Sequence, residues 1–397
     1  MACRHFMMGV KGVGGITARK LMDCYGTAWR IWELSDSAIM KDGIMTTRQK
    51  EAFLETRKRW NPEKEWKRLE DKKISMVTYC DHNYPARLKN MADKPFALYY
   101  KGTLPKDNVP SVAVIGSRMC TGYGRSMAGY YGGELAKRGI QIISGMASGI
   151  DGIAQKSALE CGGKSYGILG CGVDICYPAS NRFLYEMLID GGGVLSEFPP
   201  GDAPEAGHFP MRNRLISGLA DLVLVVEARE RSGTHITVNM ALEQGKEVYA
   251  VPGRVQDELS LGCNLLISEG AGIALDVEEI VLAAEASCRR QCNIEGDEFN
   301  RPPKSKRSDT LPKTDIIQGK LDFPTMDKTV NNQPDDRILH LLRENAMGVD
   351  EIYNNLTAQK TAGTSEKNIS FSEVQEIMTD LMMQGKVLCR MGIYEIM

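Results

Sequence analysis

The chain has 397 residues, of which 43% are hydrophobic and 25% are charged, and its formal net charge is −2. A chain of this length is too long to fold around one ordinary hydrophobic core, so we expect two or three domains. The sequence has no apolar stretch long enough to span a bilayer and no pattern of a secretion signal, so we expect a cytoplasmic protein with reduced thiols. Its 11 cysteines lack the spacing of metal ligands, so we expect no bound metal. Because the net charge of the protein is slightly negative, its overall electrostatic field does not attract a polyanion such as DNA, and binding one would need a local positively charged patch.

The first part of the chain, residues 1–72, predicts a module of short helices. They are expected at residues 17–25, 28–34 and 47–58. The string from Val10 to Leu21 resembles a helix–hairpin–helix (SAM-like) unit, in which the amides of a Gly-x-Gly turn bind phosphate. Only about nine residues precede that turn, so a helical cap without such a contact is an equally good interpretation.

An extended stretch at residues 74–79 opens the next segment, and from Pro110 the chain repeats a short β-branched run, a glycine-rich loop and an amphipathic helix. The runs lie at residues 111–115, 141–144, 165–169, 193–196, 222–226 and 247–251. Such alternation predicts parallel strands that are buried on both faces and joined by right-handed crossovers. We therefore expect residues 73–287 to form an α/β domain with an extended Rossmann-like, doubly wound and mostly parallel sheet.

The C-terminal part divides into two predicted segments. Residues 288–334 are polar and lack a sustained apolar period, which is typical of a disordered linker. Residues 335–397 predict three short helices and a β-hairpin, the pattern of a winged-helix domain. Its presumed recognition helix carries the acids Glu373, Glu376 and Asp380. Because these acids would oppose phosphates in a DNA groove, we expect protein contact or structural support from this domain.

The loops that follow the predicted strands carry the candidate binding residues, because ligands of open parallel sheets bind beyond the carboxyl ends of the strands. Glycines let amides approach an anion, helix amino ends favour negative charge, and arginine forks suit phosphate. Phe209 and Tyr177 could stack on bases. The residues expected to bind nucleic acid are Gly116, Ser117, Arg118, Ser144, Gly145, Gly149, Gly170, Gly172, Asn181, Phe209, Arg212, Asn213, Arg214, Ser232 and Gly233. Several phosphate positions along one crevice suit a single strand better than a mononucleotide.

Each candidate also has a structural interpretation. Glycines at such turns often serve helix–sheet packing alone. Arg212 and Arg214 stand near a helix start, where a salt bridge to Glu197 or Glu227 is a fair alternative. Phe209 could be a core residue. The convergence of six loops on one edge of the sheet favours the binding interpretation.

Two enzyme classes compete with nucleic-acid binding. The glycines from Gly116 to Gly124 do not match the G-x-G-x-x-G spacing of a dinucleotide site, and no P-loop follows a strand, so we expect no nucleotide cofactor. A nucleotide N-glycosidase is harder to exclude, because four acids that could act as a general base fall at the crevice. They are Glu197, Asp151, Asp174 and Glu227. We favour structural roles for these acids.

With these motifs in hand, residues 110–283 resemble the DNA-processing protein A family (DprA, also called Smf). The matching strings are VIGSR at 114–118, SGMASGID at 144–151, GCGVD at 170–174, HFPMRNR at 208–214, VEA at 226–228, AVPG at 250–253 and NLLI at 264–267. The chain departs from the family pattern at Gln155 and His235, and neither change removes an expected phosphate ligand.

The resemblance implies a protein that binds single-stranded DNA, dimerises and loads a RecA-type recombinase onto strands taken up in natural transformation, thereby protecting them. It also implies no catalytic turnover. By the same resemblance, the expected backbone contacts are Ser117, Arg118, Arg212, Asn213 and Arg214. Nothing in the sequence locates the dimer surface or the recombinase contacts.

Overall fold

The computed structural model describes residues 1–292 and, beyond them, positions 338, 342, 347–348, 352, 373–374, 377–378, 381, 387–390 and 393–396. The chain divides into two compact units, Met1–Arg301 and Pro302–Met397. The strands of the first unit are β1 Ser75–Thr78, β2 Ala97–Gly102, β3 Ser111–Ile115, β4 Gln141–Ser144, β5 Ser165–Ile168, β6 Gly193–Ser196, β7 Leu222–Val225, β8 Glu247–Ala250 and β9 Gly272–Ile273. Its helices are α1 Ala2–Gly9, α2 Gly15–Tyr25, α3 Ala28–Glu33, α4 Asp36–Lys41, α5 Thr47–Arg59, α6 Pro62–Asp71, α7 Ala86–Lys89, α8 Gly122–Lys137, α9 Ile150–Glu160, α10 Arg182–Gly191, α11 His208–Leu219, α12 Thr234–Glu243, α13 Glu258–Ser268 and α14 Val277–Cys292.

The nine strands form one sheet in the order β1-β2-β6-β5-β4-β3-β7-β8-β9. The seven strands from β6 to β9 in that order are parallel, while β2 pairs antiparallel with both β6 and β1. The mixed α/β class and the mostly parallel sheet are thereby confirmed. The chain winds from β3 through β4 and β5 to β6 on one side and then returns beside β3 as β7, so the topological switch lies between β3 and β7.

The six strands predicted after Pro110 are present to within one residue at each end. Every residue of β3, β4, β5, β6 and β7 is buried, as expected for strands covered on both faces. Alternate residues of β3 face opposite helical layers. Val112 and Val114 pack against residues of α8, α9 and α14 on one face of the sheet. Ala113 and Ile115 pack against residues of α11, α12 and α13 on the other face. This arrangement makes the sheet doubly wound.

The N-terminal helices pack on the antiparallel edge of the sheet. Phe6, Leu21 and Phe53 share one buried cluster with Ala97 and Tyr99 of β2. His5 of α1 lies 2.8 Å from the Tyr99 hydroxyl through Nδ1, and burial lowers its pKa to about 4. The imidazole is therefore neutral near pH 7, which suits a buried position. The six helices belong to the same compact unit as the strands, and a separate N-terminal module that ends at residue 72 stays a prediction.

The second unit contains a small antiparallel sheet, with β10 at Met347–Gly348, β11 at Val387–Arg390 and β12 at Ile393–Ile396, in the order β10-β12-β11. Most of the three helices predicted there lie outside the described residues, so the winged helix stays a prediction. The predicted linker also lies outside them, apart from its start, where α14 continues to Cys292. Among the described helices, none has the length and apolar character needed to cross a bilayer.

A buried ion pair joins α7 to the amino ends of β3 and β7. Arg87 donates from Nε and Nη2 to the two Asp221 carboxylate oxygens at 3.0 and 2.8 Å. The same carboxylate accepts from the Ser111 backbone N–H at 2.7 Å and from its hydroxyl at 3.0 Å. Asp221 is fully buried and Arg87 nearly so, which makes this charge cluster an anchor at the edge opposite the cleft described below.

We predict that Asp221→Ala lowers the free energy of unfolding by about 3–5 kcal/mol, because it leaves the Arg87 guanidinium buried without its carboxylate. Urea denaturation followed by circular dichroism measures this quantity. Glu269→Ala is the control, since Glu269 is exposed and its loss should change stability by less than about 0.5 kcal/mol. An equal, small effect of both substitutions would contradict the anchoring role.

Candidate nucleic-acid interface

An open cleft of about 570 Å³ lies at the carboxyl ends of β3 and β7, where the sheet order reverses. It is bounded by the loop after β3, the loop after β7 and the start of α11. Eight of the residues predicted from the sequence line it. They are Gly116, Ser117, Arg118, Phe209, Arg212, Asn213, Ser232 and Gly233. The switch point therefore collects candidates from three separate stretches of the chain, as the topology rule requires.

The backbone of Ser117 is held from two sides. Its N–H donates to the Glu227 carbonyl at 2.8 Å, and its carbonyl accepts from Ile150 N–H at 3.2 Å. Gly149 permits this contact, because it adopts a φ of +79° and a Cβ there would lie 2.3 Å from the Ser117 carbonyl oxygen. The loop that presents Ser117 and Arg118 is thus fixed by its neighbours after β4 and β7.

The Glu227 carboxylate occupies the amino end of α8. It accepts from the Thr121 backbone N–H at 2.9 Å and from the Thr121 hydroxyl at 2.5 Å, and the hydroxyl in turn accepts from Gly124 N–H at 3.1 Å. Gly124 is needed for this fit, because a Cβ there would lie 2.1 Å from a Glu227 carboxylate oxygen. The amino end of the helix after the first strand is where Rossmann proteins bind a dinucleotide phosphate. Here a protein carboxylate already supplies the negative charge.

Arg118 is an exposed cation of the cleft. Its guanidinium makes no hydrogen bond or ion pair with any described residue, and its central carbon lies 5.8 Å from the Phe209 ring centroid. The Phe209 ring also lies beside the exposed Tyr177, with centroids 5.4 Å apart and planes inclined by 34°. An unpaired guanidinium next to one ring of an aromatic pair can contact a phosphate while the rings contact bases.

Arg212 lines the same cleft but its guanidinium turns inward. The residue is 5% exposed, and Nη1 donates to the Gly145 carbonyl at 2.8 Å and to the Ile168 carbonyl. Burial lowers the pKa of Arg212 to about 10, against the opposing effect of the Asp151 carboxylate. Asp151 itself accepts from Gly145 N–H at 3.1 Å. Arg212 therefore ties the ends of β4 and β5 together beneath Phe209, and a direct phosphate contact by it remains only a prediction.

Arg214 lies outside the residues that line the cleft. Its Nη2 donates to Glu197 at 2.7 Å and its Nε pairs with Asp93 at 2.9 Å. This is the salt bridge that the sequence offered as the alternative to phosphate binding. The Arg214 side chain is only 13% exposed. Because its guanidinium is already bound by two carboxylates, it is not free to bind a phosphate.

The remaining predicted residues do not line the cleft but support its walls through hydrogen bonds and close packing. The Ser144 hydroxyl donates to the Val114 carbonyl at 2.6 Å, and the Asn181 amide donates to the Met146 carbonyl at 2.9 Å. A Cβ on Gly170 would lie 3.0 Å from the Phe209 ring. Gly145, Gly149 and Gly172 are likewise sites of close packing.

The sequence analysis did not predict Thr234, Ile236 and Thr237, which line the cleft. They lie in the first turns of α12, directly after the predicted pair Ser232 and Gly233.

The four acids considered for catalysis all have internal partners. Burial raises the pKa of Glu197 and of Asp151, and in each case an arginine opposes the shift. Asp174 accepts from Lys72 at 2.8 Å and from Gly201 N–H at 2.8 Å, which lowers its pKa despite burial. Glu227 is hydrogen-bonded to Thr121, so the contacts of all four acids support the structural roles that we favoured from the sequence.

Within the described residues, no cluster of three metal-ligating side chains occurs.

We predict that Glu227→Ala lowers the free energy of unfolding by about 2 kcal/mol, since two hydrogen bonds to a charged acceptor and a helix-end charge are lost. Inorganic phosphate should then bind the vacated helix end and raise the melting temperature of the variant more than that of the parent protein. Differential scanning fluorimetry over a phosphate series measures both effects. Glu230→Ala, which removes an exposed acid of the same loop, should show neither. An equal phosphate response in all three proteins would contradict this account of α8.

Comparison with known proteins agrees with these features. Residues 75–285 match the family model described as DNA recombination-mediator protein A. The chain is 40% identical over 220 residues to DNA processing protein DprA of Streptococcus pneumoniae, covering 54% of this chain and 76% of that protein. It is 33% identical over 281 residues to protein Smf of Synechocystis, covering 70% and 71%. The X-ray structure of S. pneumoniae DprA matches 71% of this chain and 97% of that one, with a TM-score of 0.63 and 33% identity. The chain therefore belongs to the DNA recombination-mediator protein A family.

Proposed function

We propose that this protein binds single-stranded DNA, without sequence preference, in the cleft at the switch between β3 and β7. The observation that carries the proposal is Arg118, an exposed and unpaired guanidinium beside the Phe209 ring, which itself lies next to Tyr177. In this arrangement Arg118 and the fixed Ser117 loop contact the phosphate backbone. The rings stack on bases, whose faces are available only when the strand is single.

Two features favour a strand over a bound nucleotide cofactor. Glu227 occupies the helix end at which a dinucleotide phosphate would be held. The cleft is also open to solvent along its length and lined by residues from several loops, which suits a ligand that continues beyond it. A duplex would present its phosphates but not the faces of its bases, so we expect weaker binding of duplex DNA.

The wider role of the protein is proposed from the family. A recombination mediator implies a recombinase partner, so we propose that the DNA-bound protein protects incoming strands and loads a RecA-type recombinase during natural transformation. We further propose that it acts in the cytoplasm as a homodimer and without catalytic turnover. For the phosphate contacts, we retain Ser117, Arg118 and Asn213 as direct candidates and assign Arg212 a positioning role.

We predict that Arg118→Ala weakens binding of a fluorescein-labelled oligo-dT and of a mixed-sequence oligonucleotide by about the same factor, on the order of ten-fold, because a phosphate contact carries no sequence information. The slope of log K against log salt should become shallower by about 0.7, the value for one phosphate contact on a single strand. Fluorescence anisotropy over a salt series measures both quantities.

Lys164→Ala is the matched control, since it removes an exposed charge at the amino end of β5, on the opposite edge of the sheet. It should leave affinity and slope unchanged. Binding by Arg118→Ala that equals the parent protein at every salt concentration would refute the proposed cleft.

A further inference from the structure

Three exposed arginines lie on the β7–β8 side of the cleft. Arg125 is in the first turn of α8, Arg231 is in the loop after β7, and Arg254 is in the loop after β8. Unlike the guanidiniums of most arginines of this unit, those of Arg125, Arg231 and Arg254 make no hydrogen bond or ion pair with a described residue. Their charge is therefore available to a ligand.

Hydrogen bonds join the elements that carry these arginines into one surface. The Tyr123 hydroxyl of α8 donates to the Pro252 carbonyl in the loop after β8, at 2.9 Å. The loop after β7 is tied to α13 by Ala228 N–H to the Leu259 carbonyl at 2.8 Å and by Gly262 N–H to the Ala228 carbonyl at 2.9 Å. Because β3, β7 and β8 are adjacent parallel strands, their carboxyl ends continue this surface directly from Arg118.

The β5–β6 side of the cleft has the opposite character. Its cations are engaged by acids: Lys72 pairs with Asp174 at 2.8 Å, Arg214 with Glu197 at 2.7 Å and Arg182 with Glu186 at 2.8 Å. Two further acids, Asp202 and Glu205, follow β6, and Glu205 is 73% exposed as a side chain. This side repels a phosphate backbone that leaves Arg118 in its direction.

Acids are also present on the arginine side. Arg229 is paired with Glu258 at 3.2 Å, and Glu230 and Asp257 are exposed. Against these two acids stand three arginines whose guanidiniums are unpaired, so cations outnumber acids among the exposed groups named on the β7–β8 side. On the β5–β6 side the named cations are paired with acids, and Asp202 and Glu205, the latter 3.7 Å from His208, add further carboxylates. The two sides of the cleft thus differ in their balance of charge.

We propose that the phosphate backbone of the bound strand runs from Arg118 towards β7 and β8 and contacts Arg231 and Arg254, with Arg125 beside it. This inference rests on the proposed function and adds the direction and extent of the strand. Adjacent strands lie about 4.8 Å apart, so the path from β3 to β8 spans on the order of 10 Å, or about two to three phosphates. The cleft alone would therefore hold a shorter strand than the full surface.

The test compares three proteins: the parent, the double variant Arg231→Ala with Arg254→Ala, and a control double variant, Lys89→Ala with Lys164→Ala. The two control lysines are exposed and lie near the amino edge of the sheet, so the total charge removed is the same. Over a salt series, each protein is titrated with a thymidine dinucleotide, whose single phosphate cannot reach from Arg118 to β8. Each is also titrated with oligo-dT of about 20 nucleotides, which is longer than the single-strand site sizes of about 4–16 nucleotides known for OB-folds. Melting temperatures confirm that all three are folded.

We expect the arginine double variant to bind the long oligonucleotide at least ten-fold more weakly, with a salt slope shallower by about 1.4, the value for two phosphate contacts. Its affinity for the short one should stay within two-fold of the parent, and the control should match the parent on both. Unchanged binding of the long oligonucleotide would overturn the proposed path. Equal loss on both lengths would overturn it too, because the arginines would then act on the cleft itself.

The Arg118→Ala variant separates this inference from the proposed function. If Arg118→Ala weakens binding and the arginine double variant does not, the cleft stands and only the path is wrong. If Arg118→Ala has no effect, the cleft itself is refuted whatever the double variant does.

Discussion

The carboxylate of Glu227 sits where the α8 dipole and its free amides require a negative charge, and the geometry of the cleft depends on this contact. Thr121 donates to it through both its backbone N–H and its hydroxyl. The Glu227 carbonyl also accepts from Ser117 N–H. One buried residue after β7 therefore fixes both ends of the loop after β3. A phosphate cannot take the position it has in dinucleotide-binding proteins, and the outer face of the loop, at Arg118, is left to bind one.

Burial separates the arginines of this fold into two groups with different roles. Arg87, Arg212 and Arg214 donate to acceptors from the protein itself, which offsets the cost of burying a guanidinium, although among the described residues Nη1 of Arg214 has no hydrogen-bond partner. Each of them joins elements that are distant in sequence: α7 to β7, the end of β4 to the end of β5, and α11 to the loop after β6. The guanidiniums of Arg118, Arg125, Arg231 and Arg254 have no such partner among the described residues. They hold the charge that a strand can use.

Six of the seven parallel strands could be predicted to within a residue, because each is a short apolar run followed by a glycine-rich loop. The seventh, β9, was not predicted, because its two residues Gly272–Ile273 are too short to form such a run. The antiparallel strand β2 was missed, although its run Ala97–Gly102 contains two tyrosines suited to a strand, because the segment before Pro110 was interpreted mainly as helical. The topology rule placed the candidates at the carboxyl edge of the sheet, and eight of the fifteen line the cleft at the β3–β7 switch. The sequence could not supply the direction of each guanidinium. It offered Glu197 only as one possible partner of Arg214, and the second partner, Asp93, is identified only by the packing of α11.

The central claim is that a single strand places a phosphate on Arg118 while Glu227 keeps the amino end of α8. The most direct measurement is a crystal structure of this protein with oligo-dT. The account predicts a phosphate oxygen within hydrogen-bonding distance of the Arg118 guanidinium, a base on the Phe209 ring, and the Glu227–Thr121 hydrogen bonds intact. A phosphate bound at the amino end of α8 with Glu227 displaced, or a strand bound away from the β3–β7 switch, would contradict it.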